Sequence, residues 1–273
     1  MKKRSFIERF AAVPHMVWTV LFIVAPLVFV VYFAFTDQQG AFSLANISRL
    51  SDYANIFVLS IGFALIATVL CLLIGYPLAF AISRLKPNRQ KILILLLMLP
   101  MWISLLIRTY SLMALLDNGG LVNSLLETLG LARVKIVGTS GAVILGMVYD
   151  FLPYMVLPIY TSLSKMDVRY FEAAEDLGCN WFKTLLKVAL PLSLPGIISG
   201  VTMVFVPSIS TFYISQKLGG GSFDLIGDTI ERQFQNKSTY NIGAAISLVM
   251  MILILISVAV MNHFGDEEGE IIV

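Results

Sequence analysis

The sequence predicts an all-α integral membrane protein with six transmembrane helices, and three observations carry that reading. Hydrophobic residues make up 58% of the 273-residue chain and charged residues only 13%, about half the share found in ordinary soluble domains. Mean hydropathy is +0.86. Six stretches, near 16–35, 58–82, 92–116, 138–163, 196–215 and 242–262, reach the roughly 20 apolar residues needed to cross hydrocarbon. The segments between them are too short for a soluble domain, so residues 1–273 read as a single transmembrane domain.

The first stretch follows a basic start (Lys2, Lys3, Arg4, Arg9) and resembles a signal peptide superficially. It contains Pro26 and has no small-x-small cleavage site, so an uncleaved first helix is expected. Orientation follows from the basic residues. Twelve Lys and Arg lie at the amino end and in the loops after the second stretch (Arg84, Lys86, Arg89, Lys91) and the fourth (Lys165, Arg169, Lys183, Lys187). Six lie in the alternate loops: Arg49, Arg133, Lys135, Lys217, Arg232 and Lys237. Basic loops stay in the cytoplasm, which puts both termini there in a multi-pass protein of the cell membrane. Cys71 inside the second stretch and Cys179 in a cytoplasmic loop are not expected to form a disulfide.

Pro77, Pro100, Pro153, Pro158 and Pro207 interrupt four stretches. Each removes a backbone donor, which is tolerated where protein or a wet cavity meets the freed carbonyl; several kinked spans point to a central path. Gly196 and Gly200 form a G-x-x-x-G pair suited to close helix packing. Two charges lie inside the hydrocarbon, Arg108 in the third stretch and Asp150 in the fourth. Counted from the outer edge they sit at similar depths, roughly 12 Å and 15 Å at 1.5 Å per residue. Two readings stay open: a structural Arg108–Asp150 pair, or an Asp150 that faces the path and meets a cation. Trp102, Tyr110, Tyr149, Tyr154 and Tyr160 are near in sequence and could offer ring faces to an ammonium group.

The loop at about 164–195 is a charged island between apolar stretches. Asp167 is a suitable N-cap for a short helix starting at Val168, and Gly178 a suitable C′ residue to end it. Tyr170, Ala173, Ala174 and Leu177 form one apolar stripe with two alanines at its centre, with Arg169 and Glu172 spaced to pair on the other side. Asn180 offers a second cap, with a second helix running from Trp181 towards Pro191. Such a helical knuckle could lie on lipid or dock into a cleft. Acidic residues at 172, 175 and 176 disfavour an anionic leaflet.

Within this loop Glu172-Ala173-Ala174, Gly178, Val188 and Leu190-Pro191 keep the spacing of a known pattern. It resembles the E-A-A motif of binding-protein-dependent ABC importer permeases, with Val188 where that family usually has Ile. The resemblance implies a type I ABC importer permease fold. It also implies that Asp167, Tyr170, Glu172, Ala173, Ala174, Leu177, Gly178, Leu190 and Pro191 couple the chain to an ABC ATPase dimer. The other implied partners are a second permease subunit and an extracytoplasmic substrate-binding protein, which would meet the outer loop around Gly219 to Phe234. No G-x-x-x-x-G-K-[ST] loop occurs, so the chain is expected to lack an ATPase site, with ATP used by the partner. No cofactor, metal site or nucleic-acid partner is implied.

The stretches LIGYPLAFAISRL, LPMWISLLIRTYSLMALL, GMVYDFLPYMVLPIYTSL, SISTFYISQKLGGGSFDLIGDTIERQF and NIGAAIS are similar to those of polyamine (spermidine/putrescine) importer permeases. A polyamine substrate follows from that resemblance. The alternatives are an importer of another small solute and a secondary transporter, although the latter has no use for a docking loop from Glu172 to Pro191.

Overall fold

A long apolar segment in hydrocarbon must satisfy its own backbone, and a helix does so within one segment. The computed structural model describes residues 6–269; Lys2, Lys3 and Arg4 of the basic start lie outside them. Among the described residues there is no β-strand, and one isolated bridge joins Thr36 and Phe42.

Helix α1 (Phe6–Thr19) passes through a π turn, Val20–Val24, into α2 (Ala25–Ala34). The widened turn directly precedes Pro26, which lacks an N–H and crowds the carbonyl four residues back. Short α3 (Ala45–Ser48) and a 3-10 turn lead into the 30-residue α4 (Ala54–Ser83). Next come α5 (Pro87–Met98), the 3-10 turn Leu99–Trp102, α6 (Leu105–Leu116), α7 (Leu121–Thr128) and the 25-residue α8 (Ser140–Ser164). The loop after α8 carries α9 (Arg169–Asp176), α10 (Trp181–Thr184), a π turn Leu185–Ala189 ahead of Pro191, and α11 (Leu190–Leu192). The chain ends with α12 (Leu194–Ser210), α13 (Tyr213–Leu218), α14 (Ile226–Gln235) and α15 (Tyr240–Gly269).

Four segments are long and apolar enough to span: Val13–Ala34, Ala45–Ser83, Ser140–Ser164 and Tyr240–Met261. Two more are bent pairs, Pro87–Trp102 with Leu105–Thr128 at 95°, and Trp181–Leu192 with Leu194–Ser210 at 78°. Counting each pair as one gives the expected six. The third stretch is therefore not one straight helix over 92–116. It breaks at Ile103 and Ser104, whose ψ angles of 139° and 137° are extended. Pro100 sits just upstream, in the 3-10 turn. The expected interruption at the other prolines needs correction: Pro77, Pro153, Pro158 and Pro207 all lie inside continuous helices.

Contacts divide the chain into two compact units. In the first, residues up to Ala54 with Thr229–Leu253, Ala34, Ala244, Ala245 and Leu248 form the buried centre. The Asn241 side chain donates to the Thr36 and Asp37 carbonyls there, and Asn46 donates to those of Ala34 and Thr36. In the second unit, Asn55–Asp228 with the chain from Ile254, α8 is the central element and α12 packs along it. The G-x-x-x-G pair makes this approach possible. A Cβ on Gly200 would lie 2.9 Å from Met155 Sδ and 3.0 Å from the Met155 carbonyl; one on Gly196 would lie 2.9 Å from the Pro158 carbonyl. Asn123 closes the loop between α7 and α8, donating to the Asp117 and Val134 carbonyls and accepting from the Val134 N–H.

Candidate functional site

Helix α9 has eight residues, too few to hold together alone, so its ends and inner face must be fixed by other means. At its start the Asp167 carboxylate accepts from the Arg169 N–H at 3.0 Å, the capping role read from sequence although the helix proper begins at Arg169. At its end Gly178 takes φ +79°. Its N–H donates to Glu175 O at 2.8 Å, and the Cys179 N–H donates to Ala174 O at 2.9 Å; these two bonds are the Schellman pattern. Asn180 then caps α10, its Oδ1 accepting from the Lys183 N–H at 2.9 Å. Both stop and restart signals act where the sequence puts them. Arg169 is 3.9 Å from Asp167 Oδ2, so it turns back to the cap rather than forward to Glu172.

The inner face is anchored by an aromatic residue. Phe171 is 2% exposed, with its ring 6.0 Å from that of Phe80 on α4 and the Arg84 guanidinium 4.2 Å over its face. Trp181 meets Phe80 from the other side at 5.5 Å. Further along α4 the Tyr76 hydroxyl is hydrogen-bonded to that of Ser193 at 2.8 Å, just before α12. The Gln90 amide donates to the carbonyls of Ser83 and Leu85, closing the end of α4, and accepts from the Tyr160 hydroxyl of α8. Phe171 thus ties α9 to the end of α4, and α4 is linked in turn to Ser193 ahead of α12 and, through Gln90, to Tyr160 of α8. Sequence reading missed Phe171, Phe80 and Arg84; the aromatic one turn before Ala174 was the available signal.

The outward face is Tyr170, Glu172, Ala173 and Leu177, all exposed, with Leu177 85% accessible. Ala174 leaves that stripe: it is 5% exposed and faces inward beside Phe171. Leu190 and Pro191 open α11, directly after the π turn Leu185–Ala189. The result is a capped helix whose outward apolar face, Tyr170, Ala173 and Leu177, is bordered by Glu172, Glu175 and Asp176.

The other predicted residues separate into two groups. Arg108 Nη1 lies 2.9 Å from Asp150 Oδ1, with the side chains 8% and 1% exposed. The guanidinium N–H bonds are not aimed along this contact, and Asp150 Oδ2 has no hydrogen-bond partner. Of the two readings of Asp150 the geometry favours the pair, which ties α6 to α8 beyond the bend. Trp102, Tyr110, Tyr149 and Tyr154 are instead exposed. Tyr110 stands against Tyr213 and Lys217 of α13.

Six spans, two of them broken, and a capped knuckle anchored on the spans describe the membrane subunit of an importer driven by a separate motor. Residues 76–266 match the family of binding-protein-dependent transport system inner membrane components, and the chain belongs to that family. It is 36% identical over 253 residues to the spermidine/putrescine transport system permease protein PotB of Haemophilus influenzae, covering 89% of this chain and 88% of the relative. To the PotB of Escherichia coli it is 38% identical over 246 residues, 86% and 90% of the two chains. A bacterial alginate ABC transporter, solved with a pentasaccharide-bound periplasmic protein, has a subunit of the same fold. Its TM-score is 0.76 at 20% identity, over 94% of this chain and 93% of that one. The secondary-transporter alternative is set aside by family membership.

Proposed function

We propose that the chain is a permease subunit of an ATP-driven polyamine importer, with both termini and α9 in the cytoplasm. Its partners are an ABC ATPase dimer, a second permease and an extracytoplasmic substrate-binding protein. It has no ATPase site or cofactor of its own. The observation that carries the coupling role is the knuckle itself. Tyr170, Ala173 and Leu177 are presented outward while Phe171 is clamped between Phe80 and Arg84. ATPase closure pulls on α9, the clamp passes the displacement to α4, and the small-residue contact of α8 with α12 lets the packed pair move as one body. The polyamine substrate is supported by relatives 36–38% identical that are named as spermidine/putrescine permeases.

The test is uptake in proteoliposomes holding both permeases, the ATPase and the binding protein. Labelled spermidine should enter only with ATP and loaded binding protein, and unlabelled putrescine should compete. Spermidine uptake without ATP would contradict the coupling role. ATP-dependent uptake of a different solute, with none of spermidine, would contradict the substrate.

A further inference from the structure

A lysine faces two tyrosine rings beside the start of α8. The Gly138 N–H donates to Leu218 O at 2.7 Å, which fixes the end of α13 beside the start of α8, whereas α9 follows the end of α8. The 25 residues of α8 separate the two places by roughly 37 Å at 1.5 Å per residue. Here Lys217 Nζ lies 5.3 Å from the Tyr110 ring centroid and 5.6 Å from that of Tyr213. The rings are 6.0 Å apart and 77° from parallel. Both distances are within the range in which an aromatic face holds an ammonium. Among the described residues no carboxylate forms an ion pair with Lys217; the Tyr110 side chain, which Lys217 also hydrogen-bonds, and the Tyr213 ring are what face the charge.

The seat is held by backbone packing, independent of the lysine. Ile214 and Leu218 are fully buried and lie against Gly146 of α8, where a Cβ would collide with Leu218 Cδ1 and come within 2.9 Å of Ile214 Cγ2. That contact turns Tyr213 and Lys217, one helical turn apart, towards α6 and Tyr110. Tyr110 is 46% exposed, and Tyr213 and Lys217 are half-buried beside it.

We propose that Tyr110 and Tyr213 form a seat for a primary ammonium group of the substrate, and that Lys217 is a tethered occupant the substrate displaces. The proposal rests on the polyamine reading. A lysine side chain is an ammonium on a flexible four-carbon stem, the same group that ends a putrescine molecule. The rings cannot distinguish the two. With Lys217 seated, a free cation meets both a filled site and a like charge; a polyamine delivered at high local concentration replaces it.

The experiment uses the assembled wild-type complex in proteoliposomes and measures acylation of Lys217 by an amine reagent, read by peptide mass spectrometry. Labelling is taken relative to that of exposed Lys237 in the same sample, since spermidine's own amines consume reagent. Saturating spermidine should speed labelling about two- to fivefold, the worth of one ring contact, whereas sodium chloride of equal ionic strength should not. In transport, Tyr110→Leu and Tyr213→Leu should each lower spermidine flux about two- to fivefold. Tyr110→Phe, which keeps the ring but loses the hydroxyl, should retain more flux than Tyr110→Leu, and Lys217→Met should not share the loss of the tyrosine variants. Labelling unmoved by spermidine overturns the seat even if transport is normal. A Lys217→Met loss equal to that of the tyrosine variants also overturns it, since all three then act as a brace. Wild-type complex that carries no spermidine removes the polyamine reading and this proposal together.

Discussion

Replacing Phe171 with alanine should uncouple ATP hydrolysis from transport. The side chain is 2% exposed, and truncating a buried phenylalanine costs about 3–5 kcal/mol. The Phe80 ring contact accounts for about 0.5–1.5 kcal/mol of that, and the Arg84 contact for a further ~0.5–1 kcal/mol. An eight-residue helix has no reserve to absorb such a loss. At about 1.4 kcal/mol per decade, the balance between clamped and released α9 moves by roughly two to three and a half orders of magnitude. Tyr170, Ala173 and Leu177 are untouched, so the ATPase should still bind and turn over. The assay counts ATP hydrolysed per spermidine transported in proteoliposomes, with co-purification of the ATPase as the check on assembly. ATP consumed per spermidine should rise about tenfold or more, with Phe171→Leu in between. A Phe171→Ala complex that co-purifies with its ATPase and keeps the wild-type ratio would refute the clamp.

Three other outcomes follow from the packing of the second unit. Arg108→Met or Asp150→Leu alone should cost about 3–5 kcal/mol by stranding a buried charge, while the double variant should recover most of it; thermal midpoints of the solubilised protein would show this, and a double variant as weak as either single would contradict the pairing. Gly200→Ala should destabilise by about 1–3 kcal/mol, because its Cβ would sit 3.0 Å from the Met155 carbonyl. Gly62→Ala, where a Cβ meets nothing within 4 Å, is the matched control and should hold the melting temperature or raise it slightly, since alanine loses less entropy than glycine in a helix.

Much of the knuckle was legible in sequence because its signals are local. Asp167, Gly178 and Asn180 act on backbone groups within a few residues, and such bonds do not depend on the rest of the fold. Which face of α9 points inward was not legible. Tyr170-Ala173-Ala174-Leu177 and Phe171-Ala174 are both helical stripes, and they overlap at Ala174; only the position of Phe80 and Arg84 decides between them. The six apolar stretches were read correctly as spans, but hydropathy carries no backbone direction and could not show the 95° bend of the third. Proline did not show it either. Four of the five weighed lie in continuous helices, and only Pro100 is followed by two extended residues. Lys217 and Tyr110 meet through α13 folding back on α6, a relation that no local spacing encodes.

Cysteine crosslinking at neighbouring positions of α9 tests most directly the claim that its outward face docks the motor. In a Cys179→Ser background, Ala173→Cys and Leu177→Cys should form disulfides with cysteines placed along the groove of the ATPase in native membranes. Ala174→Cys, one residue away but buried against Phe171, should not. Capture at position 174 with none at 173 or 177, or capture at none of the three, would contradict the account.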